Sequence, residues 1–558
     1  MDRPWLSSYP DGVSADIDIQ QYRSVVEIFQ QSVEQYPDHR AFSNFGKSLT
    51  YSEFEQASRS LAAFLQQTLA LNKGDRIAIM LPNLLQNPVA IFAALRAGLS
   101  VVNTNPLYSA RELRHQLQDS GAKAIIVIEN FAHTVQEVIA DTEVEHVIVT
   151  KMGDMLDFPK SLLINLAVKY LKKMVPKYSL KQAITFKHAL LTGSQQHLDK
   201  VSLDHQDIAF LQYTGGTTGV AKGAVLSHKN MVANMLQASE WIKNDVRPGQ
   251  EVIITALPLY HIFSLTANGL VFMEAGAENV LITNPRDFPG FVKELKNTRF
   301  TAITGVNTLF NALLNTPGFA DIDFSQLKIS LGGGMSVQAA VAAQWKQVTG
   351  CTLVEAFGLT ETSPAACINP LDLKQYNGSI GLPIPSTYCR LIDNDGQPVT
   401  PGDAGELCIK GPQVMREYWN RPAESAEVLS SDGWLKTGDI AKMDDNGFFY
   451  IVDRIKDMIL VSGFNVYPNE IESVIVEHPA VLECGVIGVA DPQSGEAVKA
   501  FVVRKDDSLN EQTLLSYCKE NLTGYKTPSE IVFIAELPKT NVGKVLRREL
   551  RSSSPASL

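Results

Sequence analysis

DIAFLQYTGGTTGVAKG, Asp207 to Gly223, decides how the chain is read. The apolar run before Tyr213 has the length and composition of a buried strand, and it empties into a loop of glycines and threonines. Such a loop leaves backbone N–H groups and hydroxyls free to surround phosphate oxygens, while Lys222 adds positive charge. It is not a Walker A loop, because Lys222 is preceded by Ala221 and followed by Gly223, where that motif requires Gly and then Ser or Thr. The stretch therefore predicts a phosphate cradle at the carboxyl end of a strand, made by Tyr213, Thr214, Gly215, Gly216, Thr217, Thr218, Gly219 and Lys222.

Outward from it the pattern repeats. Upstream, Thr50 and Glu53 form a capping box, and Phe54, Ala57, Leu61, Phe64 and Leu65 recur at helical spacing. The apolar runs RIAIML (76–81), AKAIIVI (122–128) and HVIVT (146–150) follow, separated by helical candidates such as PVAIFAALRAG. Downstream come EVIITAL (251–257), FTAIT (300–304) and TLVEAFG (352–358). This alternation predicts an α/β fold with ligands at the carboxyl ends of strands. From about Tyr388 short strands broken by turn residues (CRLIDNDGQPV, GELCIKG, GFFYIVDR) predict a β-rich subdomain. A small α+β unit follows. The expected division is a large domain over 1–453 and a small mobile one over 454–558.

At 558 residues the chain is too long for one core. Its net charge of -11 argues against nucleic acid as a partner. The six cysteines show no C-x-x-C spacing, so neither a zinc ribbon nor a redox pair is expected. The N-terminal MDRPWLSSYPDG lacks the apolar core of a signal peptide, and no run reaches transmembrane length. The expectation is a cytoplasmic protein whose membrane contact, if any, is peripheral on the cytoplasmic face. Residues 160–187 carry seven lysines and no acid. They read equally as an amphipathic helix that meets anionic lipid or as a solvated lysine face.

YTGGTTGVAKG resembles the phosphate loop of the adenylate-forming superfamily, which holds acyl-CoA ligases, peptide-synthetase adenylation domains and luciferases. Six further segments match in order: LPLYHIF (257–263), SLGGGM (330–335), FGLTET (357–362), DGWLKTGDI (432–440), DRIKDMILVSGFNVYPNEIE (453–472) and PKTNVGKVLRREL (538–550). The resemblance spans nearly the whole chain and implies a large ATP- and acyl-binding domain with a mobile lid. The implied reaction joins a carboxylate to the α-phosphate of ATP, so that AMP rather than oxide leaves when the coenzyme A thiol attacks.

The residue roles below are what the resemblance implies. Glu361 and Thr217 hold Mg²⁺, Thr360 and Thr218 lie at the phosphates, and Lys544 reaches the α-phosphate and the substrate carboxylate. Asp439 takes the ribose hydroxyls, with Arg454 beside it. Gly332, Gly333, Gly334, Phe357 and Gly358 make the adenine site, with Phe at 357 where the family usually has Tyr. His261, Gly305 and Val306 belong to the acyl pocket. Lys456 sits at the hinge, and Ser462 and Gly463 border the coenzyme A path. The signature run DGWLKTGDI resembles that of fatty-acyl-CoA synthetases and implies a long-chain fatty acid as substrate. A medium-chain or aryl-CoA ligase, or a ligase that loads a carrier protein, shares most of these motifs. A homodimer is compatible with them.

Overall fold

The computed structural model describes residues 3–214, 220–393, 395–400, 402–462, 464–540, 543 and 545–552. Its first parallel sheet takes up the early apolar runs. Strands Ile184–Thr185, His146–Thr150, Ala124–Ile128, Arg76–Met80, Ser100–Asn103 and Ile208–Thr214 lie side by side in that order, all parallel, and Lys222–Ser227 closes the edge antiparallel to Ile208–Thr214. Every residue of Ala124–Ile128 is buried. That explains its unbroken apolar run, because a parallel strand is covered on both faces.

A second sheet of nine strands takes Val252–Thr255, Ala302–Gly305, Ile329–Gly333 and Leu353–Gly358 in its parallel centre. Its far edge is the hairpin Arg40–Asn44 and Lys47–Thr50. Helices Tyr51–Gln67, Gln86–Arg96 and His228–Ile242 share one apolar core with both sheets, where Phe54, Leu61, Val89 and Met235 join Ile77 of the first sheet and Ile253 of the second. The first of these helices starts at the expected box: Glu53 N–H donates to Thr50 Oγ1 at 3.1 Å, and Thr50 N–H to Glu53 Oε2 at 2.9 Å. This shared layer brings the carboxyl ends of strands from both sheets to one side, where Tyr213, Gly333 and Phe357 can meet.

The texture change near Tyr388 corresponds to a four-stranded antiparallel sheet, Tyr388–Ile392, Gly405–Lys410, Leu435–Met443 and Phe449–Arg454. Beyond it, Ile459, Val466, Ile471, Val486, Val502 and Ile531 enclose a core drawn only from the C-terminal part of the chain. That unit is a five-stranded sheet flanked by helices Pro468–Val476 and Glu511–Asn521. The lysine-rich stretch holds a short helix Lys160–Leu166 with a π-helical continuation Ala167–Leu171, and its last two residues begin the helix Phe186–Ser194. Among the described residues no helix is long and apolar enough to cross a membrane.

Candidate active site

A cleft of about 2070 Å³ runs between the large part and the C-terminal unit. Its walls include Tyr213, Thr214, Lys222, His261, Val306, Gly334, Phe357, Gly358, Thr360, Glu361, Asp439, Arg454 and Lys456. Residues spread from 213 to 456 are thus brought to one space. Gly215, Gly216, Thr217, Thr218, Gly219, Gly463 and Lys544 lie outside the described residues.

The two ends of the cradle are fixed by pairing. Tyr213 faces Gly223 and Thr214 faces Lys222 across an antiparallel hairpin. The Tyr213 hydroxyl donates to Asp119 Oδ2 at 2.7 Å, and Asp119 is also paired with Arg421 at 2.8 Å. Burial, then the Asp119 carboxylate, raises the Tyr213 pKa far above its ordinary value, so the phenol stays protonated and able to donate to Asp119.

Lys222 and Glu361 are joined through a residue the sequence did not single out. Lys222 Nζ lies 5.1 Å from the centre of the Tyr418 ring, and the Tyr418 hydroxyl donates to Glu361 Oε1 at 2.6 Å. A backbone strap holds the three together. Met415 N–H donates to the Glu361 carbonyl at 2.7 Å, Val225 N–H to the Glu417 carbonyl at 2.9 Å, and Trp419 N–H to the Gly223 carbonyl at 2.7 Å. Segment 415–419 therefore ties the strand after the cradle to the turn that carries Glu361. The carboxylate is held on one side by a phenol and faces the cleft with hard oxygen donors, the chemistry Mg²⁺ takes. Among the described residues no three His, Cys, Asp or Glu side chains converge on a metal-sized space.

Glu361 stands in the turn Thr360–Thr362, directly after the strand Leu353–Gly358. A glycine is required at 358, because a Cβ there would collide with the Pro364 carbonyl. Gly332 and Gly333 end the adjacent strand, and a Cβ on Gly333 would lie 3.0 Å from the Phe263 ring. Gly334 has φ +77°, in the region that favours glycine. Beside this floor, Glu355 is buried and receives the Val337 N–H at 3.1 Å and the Tyr376 hydroxyl at 2.9 Å. Burial pushes its pKa up to about 8, against the pull of those two donors.

Asp439 and Arg454 face each other across the hairpin of the four-stranded sheet, with Arg454 Nε 2.8 Å from Asp439 Oδ1. Asp439 is buried and Arg454 reaches the cleft. Lys456 follows in a turn where the Arg454 carbonyl accepts the N–H groups of Asp457 at 3.0 Å and Met458 at 3.1 Å. Burial and the neighbouring Arg454 lower its pKa.

The C-terminal loop comes close to the large part at Gly543. A Cβ there would lie 2.6 Å from Thr308 Oγ1 and 3.3 Å from Val306 Cγ2, and φ is +88°. Arg547, a little further along, is anchored by Glu472 at 2.9 Å and Asp457 at 3.2 Å. Ser462 lies exposed at the tip of the hairpin Ile459–Val461 and Phe464–Val466 with φ 51°, and it is not part of the cleft wall.

Behind Gly358–Thr360 an apolar pocket opens between helices His228–Ile242 and Val271–Glu274, lined by Ala238, Ile242, Phe263, Val271, Phe272 and Leu371. His261 borders both pocket and cleft, and its Nδ1 accepts the Phe263 N–H at 3.4 Å. Val306 faces the cleft instead, and Gly305 backs onto Phe310, whose Cζ a Cβ would meet at 2.8 Å. Phe357 forms the partition between the two spaces.

Residues 29–419 match the family model described as AMP-binding enzyme, and residues 470–544 the one described as AMP-binding enzyme C-terminal domain. The chain is 56% identical over 554 residues to a long-chain-fatty-acid--CoA ligase of Escherichia coli O157:H7, covering 99% of each. It is 38% identical to the protein of that name from Bacillus subtilis strain 168, covering 98% of this chain and 97% of the relative. The crystal structure of ATP-bound MatB from Rhodopseudomonas palustris superposes with a TM-score of 0.81 at 26% identity, covering 95% of this chain and 98% of that one.

Proposed function

The chain belongs to the AMP-binding enzyme family, and from that membership we propose that it is a long-chain fatty acid CoA ligase. The observation that carries the reading is 56% identity, over 99% of each chain, to a long-chain-fatty-acid--CoA ligase. The apolar pocket behind Gly358–Thr360, about 100 Å³, supports it by offering the acyl chain an entrance beside the cleft, bordered by His261 and Phe357. A carboxylate at that entrance would lie at the cleft, where the phosphates of ATP would bind.

The reaction then follows from the residues. The carboxylate oxygen attacks the α-phosphorus and the bond to the bridging oxygen breaks, releasing pyrophosphate. Negative charge builds at the α-phosphate, and fixed cations aimed at it lower the barrier. Lys222 and Lys544 supply them, and Thr214, Thr217, Thr218 and Thr360 donate to phosphate oxygens. Glu361 with Thr217 would hold Mg²⁺, which screens phosphate charge when bound. Asp439 accepts hydrogen bonds from the ribose hydroxyls with Arg454 alongside, and Phe357 and Gly332–Gly334 flank the adenine. In the second step the coenzyme A sulfur, having lost its proton, attacks the acyl carbon, and AMP leaves with the bonding pair.

Residues 1–453 form the binding domain of this reading and 454–558 its lid. The contact of Gly543 with Val306 and Thr308 fits the adenylating arrangement, in which the loop bearing Lys544 closes on the cleft. Lys456 is the pivot, and rotation about it would bring Ser462 and Gly463 to the coenzyme A path. A substrate that partitions into lipid also makes the enzyme a peripheral partner of anionic membrane.

The test is pyrophosphate release and thioester formation across acids from acetate to oleate, aromatic acids included. The expected result is a clear preference for long chains, and preference for an aromatic or short acid overturns the substrate assignment.

A further inference from the structure

The helix Lys160–Leu166 and its continuation Ala167–Leu171 turn most of their large apolar side chains outward. The side turned to the protein carries Ser161, Val168, the half-buried Ile164 packed against the main core, and the half-buried Asn165, whose Oδ1 accepts the Gly153 N–H at 2.7 Å. The side turned to solvent carries Leu162, Leu163, Leu166, Tyr170 and Leu171, with Phe158 just before the helix. Phe158 is 81% exposed, Leu171 77% and Leu163 61%. An ordinary surface helix shows the opposite arrangement, with its apolar stripe inward. Single exposed leucines need no explanation, whereas a contiguous cluster marks a surface that meets something apolar.

Charge says what that something is. From Phe158 to Leu198 there is no Asp or Glu, and Lys169, Lys172, Lys173, Lys177 and Lys181 are all exposed around the apolar patch. In a chain of net charge -11 this is a local reversal of sign. A second copy docked through the same face about a twofold axis would set lysines against lysines. A bilayer containing anionic lipid has no such conflict. Its acyl boundary takes the leucines and its phosphates take the lysines.

We propose that residues 158–181 are the surface by which the protein docks, without spanning, onto an anionic lipid bilayer. This deepens the reading of the chain as a ligase of long-chain fatty acids and rests on it, because a helix at the acyl boundary holds the enzyme where such an acid dissolves. The segment lies outside the cleft and the apolar pocket, so its variants leave the chemistry in place.

The test is co-sedimentation of the full chain, without substrate, with vesicles of phosphatidylcholine alone or mixed equally with phosphatidylglycerol. Pyrophosphate release from oleate in detergent micelles is measured separately, so that failure of the ligase reading is told apart from failure of the docking surface. The wild-type protein should sediment with the mixed vesicles and be released by salt. A surface lysine contributes about fivefold to such partitioning, so changing Lys169, Lys172, Lys173 and Lys177 to Glu should lower it by two to three orders of magnitude. Changing Leu162, Leu163, Leu166 and Leu171 to Ser should abolish binding to the mixed vesicles with micellar activity unchanged. Equal sedimentation of the lysine variant and the wild type overturns the proposal. So does a leucine variant that turns a dimer into a monomer in light scattering without loss of vesicle binding, since the face would then join two copies.

Discussion

Tyr418→Phe removes one oxygen atom from the structure and tests the geometry around Glu361. The ring that lies over Lys222 stays, the strap 415–419 is held by backbone bonds, and only the 2.6 Å hydrogen bond to Glu361 Oε1 is lost. Burial, then the Glu361 charge, keeps this phenol protonated far above its ordinary range, so the wild-type hydroxyl donates throughout the working pH range. A hydrogen bond to a charged group is worth about 1.5–3 kcal/mol, which corresponds to roughly 10- to 150-fold in rate if the whole of it orients the carboxylate in the adenylation step. The assay is first-turnover pyrophosphate release at a series of Mg²⁺ concentrations, with thioester formation from synthetic oleoyl adenylate as the companion. Adenylation should fall by that factor and its Mg²⁺ dependence should move to higher concentration. The KM for oleate should hold, because Tyr418 does not line the apolar pocket, and the thioester step should stay near wild type. An unchanged Mg²⁺ profile, or equal losses in both half-reactions, would refute the assignment of Glu361 and of the phenol that positions it.

Lys544→Ala should suppress pyrophosphate release by about 10² to 10³, the cost of one fixed charge at the developing negative centre, while supplied oleoyl adenylate still reacts with coenzyme A; equal loss in both assays sinks the role. Lys456→Pro should impair adenylation more than thioester formation. Proline drives Ile455 out of the helical region and so opposes the turn in which the Arg454 carbonyl accepts from Asp457 and Met458; wild-type rates in both assays would remove Lys456 from the hinge. Glu355 binds its proton more tightly folded than unfolded, because burial pushes its pKa from the ordinary 4.5 up to about 8. Its stabilising contribution is therefore complete below the unfolded value and is lost as pH rises through about 8. Glu355→Gln should flatten the fall of Tm between these limits, read by calorimetry, and a Tm profile parallel to wild type counts against the protonated state.

What could be read along the chain and what could not divide according to whether one segment suffices. A parallel strand buried on both faces announces itself, so RIAIML, AKAIIVI and HVIVT coincide with strands to within a residue or two. The hairpin Arg40–Asn44 and Lys47–Thr50 does not, because its buried polar groups depend on partners far away. Asn44 Nδ2, for example, donates to the Leu281 carbonyl at 2.9 Å. The same holds in the site. Glu361, Asp439 and Lys222 could be picked out only because each sits in a motif frame, since an isolated acid or lysine carries no such information. Tyr418 stands in MREYWNRP, with no periodicity or spacing to mark it. It matters only because residues 415–419 are laid between the strand Lys222–Ser227 and the turn at Glu361. The apolar pocket is further still from view, being walled by helix 228–242, helix 271–274 and the 356–371 stretch, none of which encloses anything alone. Lysine composition in 160–187 was plain, but which face of the helix looks outward is decided by the Asn165 bond to Gly153 and the burial of Ser161. A pattern of leucines at 162, 163 and 166 is the same string whether the helix faces in or out, and only tertiary placement turns it from a core stripe into an exposed one.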